Sequence, residues 1–164
     1  MFRLARTTMA GGLAAIMGGV CISGSVVIAQ KIHVLTTIND AKWGPAPPLV
    51  PPGGQIAVLS GDPMKAAPYT VRFKFPANYV IPAHSHPMDE NVAITSGQFY
   101  MGMGDKVDKT HATALPPGGY AMMPANMNHF AFTGNSEVTL LLYGIGPVDF
   151  KYVNPADDPR NHKE

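Results

Sequence analysis

From Gln55 onward, apolar and polar residues alternate in short runs and do not recur at every third or fourth position. Val71, Phe73 and Phe75 alternate with Arg72 and Lys74, which is the signature of a strand with one buried face. Comparable runs cover residues 55–60, 70–75, 90–95, 98–103, 120–123, 129–133, 138–143 and 150–153. Turn-forming clusters separate them: Gly61-Asp62-Pro63, Pro76-Ala77-Asn78, Ser96-Gly97, Pro117-Gly118-Gly119 and Gly134-Asn135-Ser136. No segment carries a helical period over ten residues or more. The pattern predicts an all-β domain built as a sandwich, jelly roll or small barrel.

The flanks follow other rules. Arg3 and Arg6 precede a chargeless apolar stretch, residues 10–29, that ends in Val27-Ile28-Ala29. This reads as a signal peptide over 1–29 with a mature start near Gln30, so the protein is expected to be exported, periplasmic or secreted. Gly11, Gly12, Gly18, Gly19 and Gly24 weaken a stable membrane helix there, and no stable membrane insertion is expected after cleavage. Residues 30–54 read as an extended arm, since 42–54 contain five prolines and three glycines; the arm could cross its own domain or a partner subunit, with Trp43 as its anchor. Residues 55–153 form the folded domain, and 154–164 a polar, loose tail.

Cleavage would remove two arginines, leaving ten basic against eleven acidic residues. No cluster of lysine or arginine remains, which excludes nucleic acid and anionic lipid surfaces as electrostatic partners. Cys21 lies in the leader, so the mature chain has neither disulfide nor thiolate ligand. Its roughly 135 residues can bury a core without such staples.

The chemistry is concentrated in one constellation. His84 and His86 share a face if the backbone is extended, and Glu90 keeps their parity. With His129 brought in by folding, these residues make a mononuclear site for one divalent transition metal ion: Zn, Cu, Fe, Mn or Ni. Asp89 has the opposite parity and reads as a surface residue. His33, His111 and His162 read as solvent-exposed. Phe99, Met101 and Met103 share a face and read as pocket-lining. Met88, Met122, Met123 and Met127 fall in or beside the same region; interior packing is favoured over a thioether copper site.

In order, the residues read His84-x-His86-x3-Glu90-x6-Gly97, then Gly118-x5-Pro124-x-Asn126-x2-His129. This resembles the two motifs of the cupin superfamily, and the chain looks like a small exported single-domain bacterial-type monocupin. Asn78 and Asn126 stand where the motifs usually have glycine, and Thr133 where the second usually ends in asparagine. Asparagine tolerates left-handed backbone better than most residues, so those two changes are mild. The resemblance implies a cupin-type antiparallel β-barrel (double-stranded β-helix, or jelly roll) holding a metal on His84, His86, Glu90 and His129. It also implies a homodimer that pairs sheets or exchanges N-terminal arms.

Cupins carry out many reactions, so the fold alone does not select one. Those acting on oxalate or sugar phosphates hold the anion with an internal cation. No arginine lies between Arg72 and Arg160, and Lys106 and Lys109 sit in a loop. A small neutral enolic or phenolic ligand therefore fits better. The leading expectation is a metal-dependent dioxygenase in which Glu90, if its coordination is labile, serves as general base. A non-catalytic metal or small-ligand binding or sensing module stays open beside it, as does a redox-neutral isomerase or decarboxylase.

Overall fold

The computed structural model describes residues 34–162. The expected signal peptide, Cys21 and His33 lie outside the described residues. Among those described, no helix is long and apolar enough to cross a membrane.

Eleven strands follow one another: β1 (Gly44–Pro45), β2 (Gln55–Ser60), β3 (Pro68–Phe75), β4 (Val80–Ser85), β5 (Glu90–Ser96), β6 (Phe99–Met103), β7 (Thr113–Leu115), β8 (Tyr120–Met123), β9 (His129–Thr133), β10 (Val138–Ile145) and β11 (Lys151–Tyr152). All pairings are antiparallel. They form a six-stranded sheet, β1-β2-β3-β10-β5-β8, and a five-stranded sheet, β11-β4-β9-β6-β7.

The expectation of a closed barrel is corrected here. In neither sheet does the last strand pair back with the first, so both are open and meet face to face. Alternation of buried and exposed positions specifies a strand with one inner face, and that face is the same in a closed barrel and in two packed sheets. Strand β4 carries His84 and was not among the strands read from the alternation. Its burial changes from alternating to continuous at Ala83–His86, so period two is lost there. Strand β7 is short and mostly exposed, so alternation does not mark it.

The core joins the two sheets through aromatic rings. Phe75 stacks on Phe73 (5.3 Å between centroids), on Tyr79 (4.8 Å) and, across the interface, on Phe99 of the other sheet (6.2 Å). Val71, Val138 and Leu140 fill the space around them. Three tight turns depend on backbone that side chains rarely adopt. Gly97 has φ +75°, and a Cβ there would lie 2.2 Å from the Glu137 carbonyl oxygen. Asn78 and Asn126 have φ +58° and +62°, so asparagine does occupy left-handed positions where the motifs usually place glycine. Thr133 ties β9 to the turn before β4, its hydroxyl donating to the Pro76 carbonyl (2.7 Å) and accepting from the Tyr79 amide (2.8 Å).

The N-terminal arm lies on its own chain. Its β1 pairs with β2, Val50 is buried in the core, and the Tyr152 hydroxyl donates to the Leu49 carbonyl. The Trp43 ring lies beneath the Lys74 ammonium at 4.7 Å, on the outer face of β3. The tail is not loose as expected. Residues 155–157 and 159–161 form 3-10 turns capped by Asn154 and Asp158.

Phe75→Ala removes the ring that joins three others. It is expected to destabilise the fold by about 3–5 kcal/mol, read as a lower urea midpoint with an unchanged slope.

Candidate metal centre

Three histidines come together on one sheet. His84, near the end of β4, faces His129, the first residue of β9, as a direct cross-strand pair. A register shift between Ile81 and His84 locally re-aims β4, and His86 follows one residue beyond the strand. Their ring centroids lie 4.3–5.1 Å apart. One ligand atom from each lies within 4.8 Å of those from the other two, so this buried cluster can coordinate a metal ion. Glu90 enters from the opposite sheet, at the start of β5. Its Oε1 is 3.3 Å from His86 Nε2 and its Oε2 is 3.6 Å from His129 Nε2.

The orientation of each ring is set by its far nitrogen. His84 Nδ1 bonds the Pro82 carbonyl (2.6 Å), His86 Nδ1 the Asp149 carbonyl (2.8 Å) and His129 Nδ1 the Met127 carbonyl (3.0 Å). A carbonyl can only accept, so each Nδ1 carries a proton, and in the neutral form that ligates a metal each ring offers its Nε2 lone pair inward. Two of these atoms, His86 Nε2 and His129 Nε2, are buried without a hydrogen-bond partner. Such orphaned buried acceptors are costly unless something binds them. Three imidazole nitrogens with one carboxylate form a donor set suited to a divalent transition ion, and backbone carbonyls behind the rings are the usual support for such ligands.

At His84 and Glu90 the electrostatics agree with that donor set. Burial pushes His84 down, to about 3, and the adjacent His129 and His86 add to the effect, so it stays neutral. Burial also works against charge on His86, but the Glu90 carboxylate outweighs it and raises that histidine above its ordinary value. Burial alone would raise Glu90. The neighbouring His86 and His129 reverse this and hold it well below the usual carboxylate range, so it is ionised.

Two side chains that sequence reading did not single out stand directly behind this cluster. The Phe150 ring stacks on His84 (4.6 Å, 19°) and meets His86 edge-on (4.4 Å, 87°). Arg160, in the folded tail, donates to Asp149 Oδ1 (2.8 Å), to the Phe150 carbonyl (2.6 Å) and to the Asp158 carboxylate (2.7–2.8 Å). One guanidinium thus braces both the residue whose carbonyl orients His86 and the ring that packs on His84. The chain separation of these partners leaves no local signal of the contact. The two motifs are also joined directly, the Asn126 amide donating to the His86 carbonyl (2.8 Å) and the Ala125 amide to Asp89 Oδ1 (2.8 Å).

A small cavity of about 30 Å³ adjoins His84, Glu90 and His129, and Phe99 and Met101 are among its walls. Met103 is 49% exposed at the end of β6 and is not among them. Met88, Met122 and Met127 are likewise exposed, so interior packing does not account for them. Arg72 turns away from the interior, its guanidinium donating to the Thr37 carbonyl (3.0 Å) at the surface. His111 is paired with Asp108 at the surface (2.7 Å), and His162 bonds the Ala156 carbonyl.

A family model described as the ChrR cupin-like domain matches residues 31–149. The chain belongs to this cupin family. No curated protein matches the sequence. Among solved structures, the polyketide cyclase RemF from Streptomyces resistomycificus is 17% identical with a TM-score of 0.58, covering 80% of this chain and 90% of that one. A candidate acetylacetone dioxygenase from Methylibium petroleiphilum PM1 is 20% identical with a TM-score of 0.58, covering 80% and 88%. An RmlC-like cupin from Shewanella frigidimarina is 16% identical with a TM-score of 0.53, covering 70% and 90%. At these identities the likeness establishes the cupin fold.

Arg160→Ala is expected to destabilise the fold by about 1–3 kcal/mol through its lost charged hydrogen bonds. It should speed amide exchange at Phe150 while leaving β2 and β3 protected, measured by hydrogen exchange.

Proposed function

We propose that this protein is an exported, metal-binding cupin that acts as a metal-dependent oxygenase on a small neutral enolic or phenolic substrate. The observation that carries the reading is the convergence of three imidazoles and an ionised carboxylate in a buried apolar site, with His86 Nε2 and His129 Nε2 making no hydrogen bond. His84, His86, Glu90 and His129 are the ligands in this reading. A divalent ion held there supplies Lewis acidity toward a substrate oxygen and, where it is redox-active, one-electron chemistry with O2.

The chain's own residues account for the rest. The Nδ1–carbonyl bonds fix the three rings before anything binds, which limits reorganisation. Phe73, Phe99, Met101 and Leu142 give the inner cavity apolar walls. No arginine or lysine lines that cavity, so an anionic substrate would find no counter-charge, and a neutral one is preferred. Glu90 has two roles here: fourth ligand and, through whichever carboxylate oxygen is free, base for a substrate hydroxyl proton. Two proteins that share the fold are named for acetylacetone and for a polyketide; they set the direction of a substrate screen.

A second reading, a metal-binding or sensing module without turnover, is favoured by one observation. The cavity beside the cluster, at about 30 Å³, holds a water-sized molecule and not a ring. Export, with a mature start near Gln30, and a homodimer belong to the proposal on sequence grounds, and N-terminal sequencing and light scattering test them.

The deciding experiment is elemental analysis of the full protein recovered from the periplasm, beside a His84→Ala/His86→Ala variant. Near-stoichiometric Fe, Mn, Cu or Ni, lost in the variant, with O2 uptake on phenols or diketones, is the expected result. Zinc alone without turnover points to the second reading, and no metal after reloading overturns both. Glu90→Gln is expected to lower metal occupancy, turnover or both; if neither moves, its ligand and base roles are wrong.

A further inference from the structure

A second cavity lies on the far side of Phe150. It measures about 280 Å³, roughly nine times the space beside the histidines. The arm supplies Leu49, β2 supplies Val58, the following loop Met64, and β3 Val71, with Val148 closing the opposite side. Val58 and Met64 are more than half exposed and mark its mouth. No charged side chain lines it. Close-packed interiors leave few voids larger than a water molecule, and apolar voids do not hold ordered water. A space this large, roofed by a folded arm, has the character of a ligand site.

One residue of its wall carries a hydroxyl. Tyr69, on β3, is 94% buried by its 6% exposure, and its hydroxyl makes no hydrogen bond among the described residues. The same residue lines a cleft with His86 and Glu90. A phenol hydroxyl is a proton donor at neutral pH. Val50, Phe73, Leu142 and Phe150 are walls of both cavities, which leaves a ligand here one aromatic ring away from His84.

We propose that the cavity under the N-terminal arm binds a neutral, mainly hydrocarbon molecule of about the size of a substituted benzene, bearing one hydrogen-bond-accepting oxygen, with the Tyr69 hydroxyl as donor. As the seat of a substrate it rests on the proposed metal function; as a binding site it does not. The walls exclude a charged ligand because nothing there offsets its desolvation. The hydroxyl discriminates in favour of a carbonyl or phenol over a plain hydrocarbon, because only the former offers an oxygen that can accept its proton.

The test is calorimetric titration of the full chain, metal-free and metal-loaded, with acetophenone, ethylbenzene and benzoate. Acetophenone is expected to bind roughly three- to tenfold more tightly than ethylbenzene, the contribution of one hydrogen bond, and benzoate not measurably. Tyr69→Phe should bring acetophenone down to the ethylbenzene affinity and leave ethylbenzene unchanged. Val58→Phe, at the exposed mouth, should weaken both. Benzoate binding as well as acetophenone, no binding of any probe, or indifference to both substitutions overturns the proposal. His84→Ala/His86→Ala should lose metal yet keep acetophenone binding. An unsubstituted protein that binds acetophenone but takes up no metal and shows no turnover would sink only the oxygenase reading, whereas a metal-loaded protein that binds no probe would sink only this one.

Discussion

The pairing of His84 with His129 across β4 and β9 is the contact on which the site depends. Strand pairing holds the two Cα atoms at a fixed short distance, so the two imidazoles meet without any help from long side chains. Each ring is then locked by a carbonyl two residues earlier in its own strand or turn, Pro82 for His84 and Met127 for His129. The third ring, His86, is the exception. It leaves the strand and takes its orientation from Asp149, sixty-three residues away. That difference makes the 149–160 segment part of the site and not a mere appendage.

The position of Glu90 gives the arrangement its sign. A carboxylate in this apolar interior would be expelled or protonated if it stood alone. Two histidines of the facing sheet keep it ionised, and it in turn raises His86. Glu90 and His86 therefore sustain one another's charge states across the gap between the two sheets. The sheets themselves are held together by Phe75, Phe99, Tyr79 and their neighbours. Packing and electrostatics meet at Phe150, which belongs to the core on one face and touches His84 and His86 on the other.

Much of the candidate site was legible before any coordinates. His84, His86, Glu90 and His129 were named from spacing, and the left-handed turns at Asn78 and Asn126 from residue type. Spacing carries that information because side-chain direction along an extended chain is periodic. The alternation of residues 70–75 and 138–143 marked β3 and β10, although β10 runs two residues further. Strand β4 escaped the same test because it is buried on both faces near the histidines, where alternation disappears. Arg160, Asp149 and Tyr69 carried no local mark, since their roles arise from contacts between distant parts of the chain.

The sequence by itself determined most of the strands with an inner face, the left-handed turns at Asn78 and Asn126, and the candidate metal ligands. These are properties of a few adjacent residues, decided by sterics, side-chain chemistry and period two. Tertiary structure alone decided that the sheets stay open, that the tail's guanidinium braces the cluster, and that the larger cavity lies under the arm on the far side of Phe150. Strand order, closure and cavity shape depend on how whole faces fit together. A run of alternating residues specifies that it has a buried face, but not which face it will meet.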